Sequence, residues 1–295
     1  MIDWHQVSVI SDEAHSEAVA EILAELGACS LSFEDAADQA LYEPPPDCHP
    51  LWQKTRVIAL FDQAVDLESI REFLAQSLPA LRLLGWRHEI LPERVWEREW
   101  MAHFAPLQFG QRLWVCPSHL PPPDPHGINL MLDPGLAFGT GTHPTTRLCL
   151  QGLADSELLG LDVIDYGCGS GILALASILL GARRAIAVDI DPQALSATAD
   201  NAHKNGISER VNCRSPAQLS GECADLVIAN ILAKPLIDLA GDLTALVKPG
   251  GRLVLSGLLR EQIDEVRSAY RGPIRFSEPA VVENWVRLDG IKIAS

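Results

Sequence analysis

The chain has 295 residues, a formal net charge of −16 and 47% hydrophobic residues. That length suits about two domains, and that apolar content excludes a disordered polymer. The apolar stretch around Ile172 stops at Arg183-Arg184, too short to cross a bilayer, and an acidic surface repels nucleic acid at long range. The same charge either attracts basic partners or only keeps the protein soluble.

The start, Met1-Ile2-Asp3-Trp4-His5, carries no basic leader, and the seven cysteines are scattered without a C-x-x-C pair. Both features point to reduced thiols in the cytoplasm, with no disulfide framework. Nine dispersed histidines show no metal-ligand spacing.

Residues 1–93 are expected to form a small α+β domain. Trp4 to Ile10 reads as a strand. Val19, Ile22, Leu23 and Leu26 then recur at helical spacing, and Gly27 suits the helix end. Ser30 to Phe33 and Arg56 to Phe61 read as strands, with Pro44-Pro45-Pro46 as a loop between them. Leu67, Ile70, Leu74 and Leu78 mark a second helix, and Arg87 to Leu91 a last strand. The order β-α-β-β-α-β is that of a ferredoxin-like domain.

Residues 94–125 are expected to be a linker helix and loop. Trp96, Trp100 and Phe104 are four apart and share one helix face. They suit packing between two domains better than peptide binding. Pro121-Pro122-Pro123-Asp124-Pro125 marks a stiff segment.

Residues 126–295 read as an α/β domain of Rossmann-like type. Apolar runs at Asp162 to Ile164, Ala185 to Val188, Leu226 to Ala229 and Leu253 to Leu255 alternate with helical patterns. They are apolar on both faces, as buried parallel strands are. Asp165 and Gly167, Asp189, Asn230 and Ser256 follow or end these runs. Open α/β sheets bind ligands outside the carboxyl ends of their strands, so four ends are expected to form one crevice. The tail from Ile274 to Ile293 reads as a closing β-hairpin.

Asp165-Tyr166-Gly167-Cys168-Gly169-Ser170-Gly171 joins a strand to a helix-like run, Ile172 to Leu180. Glycines let a ligand approach bare backbone, and the helix start adds unpaired amide donors. A dinucleotide loop has the longer Gly-x-Gly-x-x-Gly spacing around a pyrophosphate. The shorter spacing, with Asp165 before it, favours S-adenosyl-L-methionine, which has no phosphate. Asp189 lies 22 residues after Gly167 and can accept hydrogen bonds from both ribose hydroxyls. Asp191, before Pro192, suits the helix N-cap. Asp165 either orients the loop or the cofactor amino group, or caps a turn. Asn230 either accepts hydrogen bonds from an acceptor nitrogen or only ends its strand.

Two further segments are Asp133-Pro134-Gly135-Leu136-Ala137-Phe138-Gly139-Thr140-Gly141-Thr142-His143-Pro144-Thr145-Thr146 and Asn230-Ile231-Leu232-Ala233. With the glycine motif, Asp189-Ile190-Asp191-Pro192 and Trp96-Glu97-Arg98-Glu99-Trp100, they resemble the bacterial methyltransferases of ribosomal protein L11, the PrmA family, over essentially the whole chain. The resemblance implies a seven-stranded, S-adenosylmethionine-dependent methyltransferase domain. It implies that the N-terminal domain captures a large-subunit ribosomal protein whose side-chain and N-terminal amines are methylated. By motif match Thr146, Gly167, Gly169, Asp189 and Asn230 should touch the cofactor, with Thr145 the close rival of Thr146. Asn230 is the residue expected to act in catalysis. Related enzymes place Asn-Pro-Pro-aromatic there, and the missing aromatic argues against a nucleobase acceptor. The loop Gly135 to Thr146 is expected to close over the cofactor. His143 is not assigned a catalytic role. The competing expectations are an RNA or small-molecule methyltransferase, or a non-catalytic module binding the same cofactor; no direct nucleic-acid or membrane partner is expected.

Overall fold

The computed structural model describes residues 4–37, 51–62, 66–78, 84–91, 105–133 and 141–293. The triple proline at 44–46, the linker helix with Trp96, Trp100 and Phe104, and the loop residues 134–140 lie outside the described residues. Contacts within the chain cluster into two units, residues 1–96 and 97–295.

The first unit contains β1 (Trp4–Asp12), α1 (Glu13–Glu25), β2 (Ser30–Asp35), β3 (Lys54–Phe61), α2 (Leu67–Ser77) and β4 (Leu84–Leu91). Its antiparallel sheet has the order β2-β3-β1-β4, as the ferredoxin-like reading requires. Side chains alternate across a strand, so Thr55, Val57, Ala59 and Phe61 share one buried face. Val7, Val9, Val19, Leu23, Ile70 and Leu74 complete that core. The carboxylate of Asp12 caps α1 by accepting from the His15 amide, and that of Asp66 caps α2. Gly27, at φ +96°, carries the chain out of α1. Leu78, expected in the second helical stripe, is instead the C-cap just beyond it.

The second unit opens with β5 (Leu107–Phe109), β6 (Leu113–Cys116) and β7 (Ile128–Met131) in a three-stranded sheet. Residues 107–109 and 113–116, within the stretch expected as linker helix and loop, are therefore strands. Phe109, Leu113, Val115 and Cys116 are buried, and each strand is too short for its alternation to stand out. Then come α3 (Pro144–Ala154), β8 (Asp162–Tyr166), α4 (Ile172–Leu179), β9 (Arg184–Val188), α5 (Pro192–Lys204) and β10 (Val211–Arg214). β11 (Ala224–Asn230), α6 (Ala233–Asp238), α7 (Ala240–Leu246), β12 (Val247–Leu259), α8 (Ile263–Ala269), β13 (Ile274–Phe276), β14 (Ala280–Val282) and β15 (Trp285–Lys292) follow.

The large sheet runs β10-β9-β8-β11-β12-β15-β13. β14 also pairs with β15, so the position outside β15 is shared by two short strands. The first five are parallel, and β15 enters antiparallel to β12. Consecutive strand residues face opposite layers. Val163, Ala185 and Leu226 pack with α3, α4 and α5, while Ile164, Ile186 and Val227 pack with α6, α7 and α8. Among the described residues no helix is long and apolar enough to cross a membrane.

At the amino edge of the sheet, nearly buried Asp162 takes Arg183 Nη2 at 2.6 Å and Lys248 Nζ at 3.3 Å. Burial alone would raise its pKa, but these cations and Arg184 hold it below the usual carboxylate value. The network pins the start of β8 and leaves the carboxyl edge of the sheet for the site.

Candidate functional site

The polypeptide leaves β8 through three left-handed glycines, Gly167, Gly169 and Gly171, at φ +77°, +53° and +79°. The amides of Gly167 and Cys168 both donate to Val188 O, at 2.8 and 3.0 Å, which fastens the loop to β9. A Cβ on Gly167 would come within 2.3 Å of Ile231 Cγ2, and one on Gly171 within 2.6 Å of Thr198 Cγ2. α5 supports the loop from below. Thr198 Oγ1 donates to Gly169 O, and Asn201 Nδ2 donates to Ser170 O.

Asp189 ends β9 beside this loop. Its Oδ2 accepts from the Gly169 amide at 3.0 Å and its Oδ1 from the Asp191 amide at 3.0 Å. Each carboxylate oxygen has a second lone pair, so Asp189 can brace the loop and still receive two hydroxyls. Asp191 is the N-cap of α5, accepting from the Gln193 amide at 2.8 Å.

Asp165 is buried, and its Oδ2 accepts from the Ala174 amide in the first turn of α4 at 2.9 Å. Its Oδ1 has no hydrogen-bond partner. Burial, assisted by the charge of Asp189, pushes its pKa up to about 7 against the opposing Ala174 bond. Asp165 therefore ties the glycine loop to its helix and does not line the cavity.

Across the crevice, Asn230 ends β11. Its Nδ2 donates to Thr146 Oγ1 at 3.3 Å, and its buried Oδ1 has no partner. Thr146 is itself buried on α3, whose N-cap is His143. His143 Nδ1 accepts from the Thr145 amide at 3.3 Å and lies 2.8 Å from Thr145 Oγ1. With Nδ1 accepting, the neutral ring carries its proton on Nε2. Desolvation lowers its pKa, so neutrality is the state at pH 7, although Glu283 pulls the other way. The ring meets Trp285 edge to face, with centroids 4.8 Å apart.

These groups enclose one cavity of about 770 Å³, within the range of small-molecule sites. Thr145, Thr146, Gly167, Gly169, Asp189 and Asn230 all line it. Ser256 does not. β12 runs on to Leu259, and Ser256 is buried with its hydroxyl donating to Val286 O. The fourth strand instead meets the crevice at Gly257, in the bulge within β12, at φ +91°, where a Cβ would stand 2.2 Å from Ile231 O. Sequence reasoning also missed Trp285 and the apolar rim of Ile190 and Leu232, which are largely exposed yet line the cavity. The signal for Ile190 and Leu232 was available: each is a large apolar residue one or two positions past a buried strand.

Comparison with known proteins bears on this site. The family described as ribosomal protein L11 methyltransferase (PrmA) matches residues 3–292. The chain is 51% identical over 290 residues to the ribosomal protein L11 methyltransferase of Methylococcus capsulatus, covering 98% of this chain and 99% of that one. It is 48% identical over 292 residues to the protein of the same name from Hahella chejuensis, covering 99% of each. A crystal structure of the ribosomal protein L11 methylase of Lactobacillus delbrueckii subsp. bulgaricus superposes with a TM-score of 0.59 at 30% identity, covering 64% of this chain and all of that one.

Proposed function

This chain belongs to the ribosomal protein L11 methyltransferase family, and we propose that it moves methyl groups from S-adenosyl-L-methionine to amino groups of ribosomal protein L11. The acceptors are lysine side chains, the N-terminal α-amine, or both. The observation that carries the reading is Asn230, which lines the cavity, gives its Nδ2 to Thr146 and keeps a buried Oδ1 without a partner. An unpaired buried acceptor costs about 1–3 kcal/mol, and an incoming amine has the N–H groups to satisfy it.

The residues also fit the methyl donor. The bare backbone of Gly167 and Gly169 admits a close ligand, and Asp189 keeps lone pairs for the ribose hydroxyls. Asn230 faces the opposite half, with Thr146 fixing its amide. When bound, the sulfonium supplies an already activated methyl group. The methyl would pass to a neutral amine with the C–S electron pair returning to sulfur, and the methylammonium product would release its proton to water. The chain's task is alignment and exclusion of water. Asn230 Oδ1 holds the nitrogen by one N–H and so aims its lone pair. His143, with Nδ1 accepting from Thr145, is given no role as a base. The first unit is the part proposed to hold ribosomal protein L11, and a cytoplasmic location shared with that substrate belongs to the same proposal.

An RNA acceptor is disfavoured by Ile231-Leu232 after Asn230, where no aromatic platform for a base stands. The test is labelled methyl transfer into purified ribosomal protein L11, ribosomal RNA and intact large subunits. Label in free L11, located on amines by mass spectrometry, is the expected result. Label confined to RNA would overturn the proposal.

A further inference from the structure

The roles proposed above for the methyl donor and the reacting nitrogen leave Trp285 unused, although it lines the cavity edge to face against His143. Its place along the crevice follows from strand register. Asn230 pairs with Ser256 of β12, whereas Trp285 pairs with Leu259, three residues further on. Those residues lie across the bulge at Gly257, so Trp285 stands further along the strand direction, past the end of β11, than Asn230 does. His143 tells the same story, lying one helical turn before Thr146, whose hydroxyl meets Asn230. The cavity thus has a polar end at Asn230 and an aromatic end at Trp285, and Ile231 and the rim residue Leu232 line it as well.

Resting on the amine-methyltransferase reading above, we propose that Trp285, braced by His143, is the residue that selects lysine as acceptor by gripping its aliphatic stem. An amine at Asn230 with a lysine's four methylenes behind it runs along the cavity toward Trp285. Each methylene so buried favours binding, and the amine itself is stripped of water as it enters. The neutral His143 ring adds no positive charge against the incoming ammonium. An N-terminal α-amine is different. It brings its Cα and the first peptide plane up to Asn230, offers no unbranched stem, and needs a wider opening.

The test measures initial methylation rates at each amine of ribosomal protein L11, by peptide mass spectrometry, for wild type, Trp285→Ala, Trp285→Phe and His143→Asn. Loss of one or two buried methylene contacts at about 0.8 kcal/mol each corresponds to a fall of roughly fourfold to fifteenfold. Trp285→Ala should lower kcat/KM at lysines by that factor and leave the α-amine rate unchanged or raised. Trp285→Phe should restore most of the lysine rate. His143→Asn keeps an N-cap acceptor while removing the ring, and should shift the ratio the same way but less. Cofactor affinity, read by calorimetry, should stay within twofold in the two Trp285 variants, which separates selection from damage to the fold; His143→Asn is judged by its lysine to α-amine ratio, because His143 caps the helix that carries Thr146.

Equal losses at both amine classes, or an unchanged ratio in Trp285→Ala, overturn the proposal. So does a wild-type enzyme that modifies the α-amine alone. If wild type modifies lysines alone, an unchanged kcat/KM in Trp285→Ala overturns it. A wild-type enzyme that methylates no amine of L11 refutes the underlying reading instead, and this proposal with it.

Discussion

Asp165→Asn gives a sharp test of the electrostatics under the glycine loop. Asp165 is a buried carboxyl with one bonded and one orphaned oxygen, and its pKa is raised from 3.8 to about 7. A raised carboxyl pKa means that the folded state binds the proton more tightly than the unfolded state does. Its contribution to stability is full below pH 3.8, is lost as pH climbs toward 7, and is constant above that. At 1.36 kcal/mol per pKa unit the whole loss is about 4 kcal/mol, as an order of magnitude. The carboxylates of Asp133, Asp162 and Asp225 are all shifted downward, so their titrations fall below this window, and the lowered His143, which titrates inside it with the opposite sign, is common to both proteins and cancels in their comparison. Asparagine keeps the oxygen that accepts from the Ala174 amide and removes the titration. Hydrogen exchange on peptides from β8 and α4 reads the local opening free energy without requiring the two units to unfold together. Between pH 5 and 6.5 the wild type should lose about 1.4 kcal/mol of protection energy per pH unit after correction for intrinsic exchange, flattening above pH 7. Asp165→Asn should show little slope and should be the more protected protein at pH 8. Parallel profiles for the two proteins would refute a buried, weakly acidic Asp165.

Three further outcomes are expected. Gly257→Ala places a Cβ 2.2 Å from Ile231 O at a φ of +91°, so it should cost several kcal/mol in thermal unfolding and displace Asn230, with loss of activity exceeding loss of cofactor binding. Asp189→Ala removes both the ribose acceptor and the brace on the Gly169 amide, so calorimetry should show cofactor affinity falling at least a hundredfold; near-normal affinity would remove Asp189 from the site. With saturating cofactor, limiting L11 and chemistry rate-limiting, lysine methylation should rise about tenfold per pH unit from roughly 7 to 9, because only the neutral amine attacks; a flat profile would reveal an enzymatic base.

Much of this site was readable because its residues stand at strand ends, where a change from apolar to polar or glycine is visible in one dimension. Gly167, Asp189 and Asn230 each follow a short apolar run, and the parallel order of β9, β8 and β11 brings those ends to one edge. The run before Ser256 misled by one residue. Ser256 is polar, yet its hydroxyl is satisfied by Val286 O inside the sheet, so polarity there marks a buried hydrogen bond rather than a strand end. Thr198 and Asn201 were invisible for a related reason. They sit in an amphipathic helix as ordinary polar residues, and only the packed structure shows their side chains holding the carbonyls of Gly169 and Ser170.

Trp285 is the most instructive omission. The closing hairpin itself was legible, but in a parallel sheet the crevice is sought at carboxyl ends, and Trp285 begins its strand. β15 reverses direction against β12, so its amino end reaches the edge that the parallel strands reach with their carboxyl ends. One antiparallel insertion therefore brings a residue from the last tenth of the chain to the ring of His143, 142 positions earlier. A spacing rule built on parallel strands has no term for that reversal. The start of α3 and the start of β15 meet at the cavity because of it, while Gly167, Asp189 and Asn230, proposed to face the methyl donor and acceptor, end or follow the strands between them.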